Sequence, residues 1–150
     1  MGRRNSRRDL EKNDLQSETT AVEVWKEFIA GISIASERLF SKALLVLSGS
    51  FLLTFHGDYP HPKSFYGRLV FTLLLPAWGL MFLSIYKGMK VAGNQAVGAL
   101  FQRDEEHMRR IAEDANKNYN AQRNLFFYSL AFLGTGLIVY LLWWIYCYDE

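Results

Sequence analysis

Three small groups of residues have the types and spacing that chemistry requires. His56, Asp58 and His61 bring two imidazoles and a carboxylate into one short stretch, a donor set suited to a divalent transition metal. The intervening Tyr59-Pro60-His61-Pro62 is stiff, and a single small loop rarely closes a coordination sphere, so no metal ligand is assigned there. Arg103 precedes His107 by four residues, and helical ribonucleases use an Arg–His pair for acid–base work. Those pairs have a longer gap and sit in soluble bundles, so this one is read as part of a charged helix face. Ser48, Ser50 and Thr54 are hydroxyls that could line a pore, although such groups more often bond back to their own helix.

The single cysteine, Cys147, rules out an internal disulfide framework and could at most join two chains in an oxidising compartment. There is no phosphate-binding Walker loop, nucleophile elbow or zinc signature. The chain is therefore expected not to be an enzyme, with no catalytic, cofactor-binding or metal-binding residue and no cofactor.

The elements that would have to position any site are set by hydropathy. Residues 124–148 run for 25 positions without a charged side chain, long enough as a helix to cross a hydrocarbon core of about 30 Å. Leu69–Tyr86 is a second uncharged block, bounded by Arg68 and Lys87. Pro76 in its middle removes one backbone hydrogen bond and predicts a bend. The third block, Ala43–Phe55, is short for a crossing, but Leu39 and Phe40 extend it and Lys42 can snorkel to the headgroups. A mean hydropathy of −0.03 hides this segregation, because the charges are excluded from the apolar blocks. A net charge of +2 gives little support to nucleic-acid binding.

The expected fold is therefore all-α: a polytopic membrane protein with three transmembrane helices plus cytoplasmic amphipathic helices. Residues 1–18 read as a basic disordered tail, although Met1-Gly2 with Ser6 also fits the bare N-myristoylation pattern. Residues 19–42 read as a cytoplasmic or interfacial amphipathic helix and 43–56 as the first span. An outer loop at 57–67, a second span at 68–87, a cytoplasmic helical segment at 88–123 and a third span at 124–148 follow. The first apolar run begins too late for a cleavable leader.

Lysine and arginine orient the chain. Residues 1–42 carry eight and residues 87–123 carry seven of the seventeen, whereas the short loop has only Lys63 with Arg68 at its edge. That bias predicts a cytoplasmic N-terminus and 87–123 segment, with the C-terminal end outside. Trp143, Trp144, Tyr146 and Tyr148 then crowd the outer interface.

Within 19–42, Val22, Trp25, Ile29, Ile32, Leu39 and Ala43 recur at spacings of three and four, with Ser36 interrupting the set. In the other cytoplasmic segment, Val97, Phe101, Met108, Ile111, Ala115 and Tyr119 make a thinner stripe. Glu105, Glu106 and Glu113 there each precede a base by four residues. A helix over all of 87–122 could not return to the membrane, so a break is expected near Gly93–Gly98 or Asn116–Asn120. Gly88, Ala92 and Ala96 recur every four residues as an expected packing seam. Ser129, Ala131, Gly134, Thr135 and Gly136 form a similar cluster in the third span, and Ser48, Gly49 and Ser50 one in the first.

No Asp, Glu, Lys, Arg or His lies mid-span, which argues against proton-coupled transport. The expected function is that of a small non-enzymatic membrane protein of the bacterial inner membrane acting through helix contacts, of the superinfection-exclusion, toxin-immunity or anchoring kind. An oligomeric membrane-permeabilising effector of a bacterial defence system is the alternative. The expected partners are the lipid bilayer and a second copy or another membrane protein, with no nucleic acid.

Overall fold

A computed structural model describes residues 3–55, 65–100 and 105–147. They form three long helices: α1 (Arg3–Phe55), α2 (Phe65–Leu100) and α3 (Glu105–Cys147). Each joins a charged segment to an uncharged one without a break. Contacts fix their directions. Phe40 approaches Gly88 and Ile29 approaches Gly98, so α1 and α2 are antiparallel. Gly136 meets Leu73 while Gly88 meets Gln122, so α2 and α3 are antiparallel as well. The α2–α3 hairpin is the tighter pair, and α1 lies along it.

One spacing builds all three interfaces. On α2 the buried seam residues are Gly67, Val70, Leu74, Ala77, Met81, Ser84, Gly88, Val91 and Gly98, at intervals of three, four or their sum, with Trp78 buried beside Ala77. On α3 the buried set is Met108, Ala112, Ala115, Asn118, Gln122, Phe126, Ser129 and Gly136, with Tyr119, Leu133 and Tyr140 half-buried beside them. On α1 it is Val22, Ile29, Ile32, Ser36, Ala43, Leu47 and Thr54, with Trp25, Leu39 and Val46 half-buried. Alternating steps of three and four average 3.5 residues, which keeps one seam facing the partners along the whole length.

The core divides along the axis. One cluster, centred on Ala43, Leu47, Val70, Leu74, Trp78, Met81 and Phe126, fills the uncharged half. Two smaller clusters, Val22, Ile29, Met108 and Ala112 and then Ile32, Val91 and Ala115, fill the half toward the hairpin tip.

Two stretches among the described residues are long and apolar enough to cross a membrane, within Gly67–Leu100 and Glu105–Tyr146. Only 28% of the first and 17% of the second is buried in the chain. A soluble core helix would hide most of such a stretch, so these apolar faces point at something other than the protein's own interior. Among the described residues of α1 no such stretch is found, and its uncharged block covers residues 43–55.

Several boundaries differ from those expected. Residues 3–18, expected as a disordered tail, belong to α1, and neither Gly nor Pro interrupts the sequence from Arg3 to Ala30. No break separates 19–42 from 43–55. The chain does not turn at Gly93–Gly98 or at Asn116–Asn120: α2 runs to Leu100 and α3 starts at Glu105. Glu105 and Glu106 occupy the first turn of α3, where carboxylates oppose the positive end of the helix dipole. Gly98 packs against Ile29 of α1 and Ile111 and Met108 of α3, whereas Gly93 is exposed on the continuous helix. α2 is also continuous through Pro76.

Candidate functional site: a polar layer joining the three helices

Where the two halves of the core meet, all three seams turn polar at one level. Ser36 of α1, Ser84 of α2 and Gln122 of α3 occupy seam positions that would otherwise be apolar, and they are 3%, 0% and 0% exposed. The Ser36 hydroxyl donates to Gln122 Oε1 at 2.6 Å, and Gln122 Nε2 donates to the Ser36 carbonyl at 3.1 Å. The Ser84 hydroxyl donates to the Gln122 carbonyl at 2.9 Å. One glutamine therefore ties α3 to both neighbours.

Gly88 makes room for it. A Cβ at position 88 would stand 2.6 Å from Gln122 Nε2, closer than any side chain permits without displacing the amide. Among the described residues no buried side-chain nitrogen or oxygen lacks a partner. Such a layer avoids the cost of about 1–3 kcal/mol that an unsatisfied buried polar group would carry.

Toward the tip, a second network joins α2 to α3. Lys87 Nζ donates to Asn118 Oδ1 at 3.3 Å, and Asn118 Nδ2 donates to Asp114 Oδ2 at 3.1 Å. Asn94 Nδ2 reaches the same carboxylate oxygen at 2.8 Å. Ser33 of α1 donates to Gln95 Oε1 of α2. On the uncharged side, Trp78 Nε1 donates to Ser50 Oγ at 3.0 Å while its ring stacks on Phe51, centroids 4.3 Å apart. Ser129 donates to the carbonyl of Ala77, beside Pro76, at 2.7 Å.

The residues singled out from sequence fare differently. His56, Asp58, His61, Lys63 and Arg103 lie outside the described residues, as do Phe101 and Tyr148. His107 is exposed on α3, and Cys147 ends that helix. Ser48 donates to the carbonyls of Leu44 and Leu45, and Thr54 donates to that of Ser50, so these hydroxyls do bond back to their own helix. Glu106 pairs with Arg110 as spaced, whereas Arg109 reaches forward to Glu113.

The expected four-residue seam of Gly88, Ala92 and Ala96 needs correction. Only Gly88 is buried, and Ala92 and Ala96 are exposed. A strict four-residue repeat rotates about 40° per step around a helix, so Ala92 and Ala96 drift off the face that Val91 and Gly98 continue. In α3 likewise, Ser129 and Gly136 are buried, while Ala131, Gly134 and Thr135 face out. Val97 is also exposed, and Ala112 rather than Ile111 holds the centre of the α3 seam.

Sequence reasoning passed over Gln122 and Ser84 and took Ser36 for an interruption. The available signal was that Ser36, Ser84 and Gln122 each fall in register on the seam of their own helix, which marks a hydrogen-bonded layer more readily than a failed stripe.

This arrangement fastens helices. Among the described residues no group of three or more metal-binding side chains converges. Open grooves of about 320 and 300 Å³ run along α1, the first between its apolar half and Leu74, Leu133 and Leu137, the second between Ser36, Phe40 and Gly88. Comparison with protein-family models, curated proteins and solved structures finds no match to the chain.

Proposed function

We propose that this chain is a three-span membrane protein that acts by helix contact rather than by catalysis, blocking, excluding or anchoring a partner in a bacterial inner membrane. The N-terminus and the α2–α3 tip face the cytoplasm and the C-terminal end faces out.

The observation that carries this reading is the outward direction of the apolar side chains. Leu75, Phe82, Leu83, Phe127, Leu137, Ile138 and Ile145 are exposed, while Ser84, Gln122 and Ser129 are fully buried within the apolar seam. Water would favour the reverse, and lipid tolerates it. α1 joins as the third span because its block, 43–55, lies beside the uncharged part of α2, with Trp78 bonded to Ser50. Trp144 and Tyr146 are exposed at the far end, at the level of an interfacial aromatic belt.

Single cysteines at positions 63 and 110, in a Cys147→Ser background, test the topology. Membrane-impermeant maleimide should reach position 63 from outside and position 110 only after permeabilisation. Labelling of both from one side would refute the three-span arrangement. Overexpression tests the mode of action: a contact protein leaves membrane potential intact, whereas collapse of the potential would assign the chain to the permeabilising class.

A further inference from the structure

The charges are sorted along the bundle axis more sharply than by side of the membrane. The contacts Phe40–Gly88, Ser84–Gln122 and Lys87–Asn118 set the relative heights of the helices. In that register Arg38 and Lys42 of α1, Lys87 and Lys90 of α2, and Lys117 and Arg123 of α3 fall in one band about 9 Å deep. Glu37 stands at the upper edge of the band. The other carboxylates of the described side chains, Asp114 and Glu113 first, lie nearer the tip. In the opposite direction α2 is uncharged down to Arg68, about 24 Å away.

Pairing follows the same division. At the tip, Arg110 is paired with Glu106 and Arg109 with Glu113. In the band, Lys87 meets the neutral amide of Asn118, and Lys90 lies 5.2 Å from the Tyr86 ring centre. Among the described residues, Arg38, Lys42, Lys117 and Arg123 have no carboxylate partner. Arg38, Lys42, Lys90, Lys117 and Arg123 are all exposed.

We propose that this girdle binds the phosphodiester headgroups of anionic phospholipids. The inference rests on the membrane-spanning reading and adds a ligand to it. The cations are unneutralised by the protein, come from all three helices, and stand where the uncharged surface begins, at the depth of lipid phosphates. A nucleic acid or an acidic protein would instead favour a patch on one face, away from an apolar border. Phosphate attracts juxtamembrane Lys and Arg, and salt weakens that attraction.

The test uses the full chain in vesicles of phosphatidylcholine alone or mixed with phosphatidylglycerol, with retained lipid counted by native mass spectrometry. Phosphatidylglycerol should be enriched around the protein, and enrichment should fall as salt rises. Each neutralised cation should reduce it roughly five-fold. The triple variant Lys42→Gln, Lys90→Gln, Arg123→Gln should lose the enrichment, and the tip variant Arg109→Gln, Arg110→Gln should keep it. All of these side chains are exposed, so folding is preserved and is checked by helical circular dichroism.

Incorporation without headgroup preference, or equal loss in the tip variant, overturns the girdle and leaves the membrane reading standing. Failure to enter either vesicle overturns both. Tight binding of soluble heparin that the girdle variant also loses would reassign the surface to a soluble polyanion.

Discussion

On either side of the Ser36–Ser84–Gln122 layer, the three helices build their interior by one rule and their exterior by two. Toward the tip the seam holds Val22, Ile29, Ile32, Val91, Met108, Ala112 and Ala115, and away from it Ala43, Leu47, Val70, Leu74, Met81 and Phe126. The spacing and residue types are alike. The outer faces are not. Beyond the layer toward the tip they carry Glu23, Glu27, Glu106, Arg109, Arg110 and Glu113, with exposed apolar residues such as Val24, Phe28 and Ile34 chiefly on α1. In the other half they are almost wholly apolar. The seam therefore reports how the helices meet, and the outer face reports the medium. Reading burial from hydrophobicity alone would fail in the uncharged half, where the most exposed residues are as apolar as the core.

The largest effect that could break this comparison comes from two buried methionines. Met108 and Met81 are 1% and 0% exposed, in the tip half and the uncharged half respectively. Met108→Ala loses both transfer energy and packing, about 2–5 kcal/mol. Met81→Ala in a bilayer loses mainly packing, because lipid tails are as apolar as the core, and should cost roughly half as much. Denaturant unfolding of the reconstituted chain measures both, and equal costs would mean one solvent for both halves.

A second contrast uses two outward side chains. Leu75 is 64% and Ile34 53% exposed. Leu75→Asp should oppose membrane insertion by about 2.5–3.5 kcal/mol, seen as loss from the membrane fraction. Ile34→Asp should change stability by no more than about 0.5 kcal/mol. Indifference at position 75 would count against lipid around α2.

The boundary itself is the next target. Gly88→Leu would push the Gln122 amide off Ser36 and cost about 1–3 kcal/mol by overpacking. The loss should appear as faster hydrogen exchange in α1 than in α2 or α3, since α1 has fewer other anchors. Uniform acceleration would show that the layer does not hold α1 in particular. The smallest effect belongs to the tip: the Glu106–Arg110 pair has side chains about two-thirds exposed, and Glu106→Gln should cost only about 0.3–0.5 kcal/mol, less at high salt.

Much of this architecture is legible in the residues themselves. The all-α class follows from the span-length uncharged blocks and the three-and-four periodicity between them. The uncharged blocks of α2 and α3 follow from hydropathy, and Val22, Trp25, Ile29, Ile32 and Leu39 mark the inner face of α1 by periodicity alone. These properties belong to one helix at a time, so no partner is needed to see them. The hairpin tip was harder to foresee, because the glycines at 93 and 98 weaken an isolated helix, and the contacts of Gly98 with α1 and α3 appear only in the packed chain.

The polar layer lay beyond reach for a related reason. Ser36, Ser84 and Gln122 are separated by 48 and 38 positions, and each alone reads as a defect in an apolar stripe. Their meaning depends on register between helices, as does the gathering of six cations at one height. Local composition and period act through each helix's own backbone and the medium around it, which is why the chain encodes them segment by segment. Hydrogen bonds, and charges sharing a depth, depend on relative heights to within an ångström or two. Only the packed helices determine those.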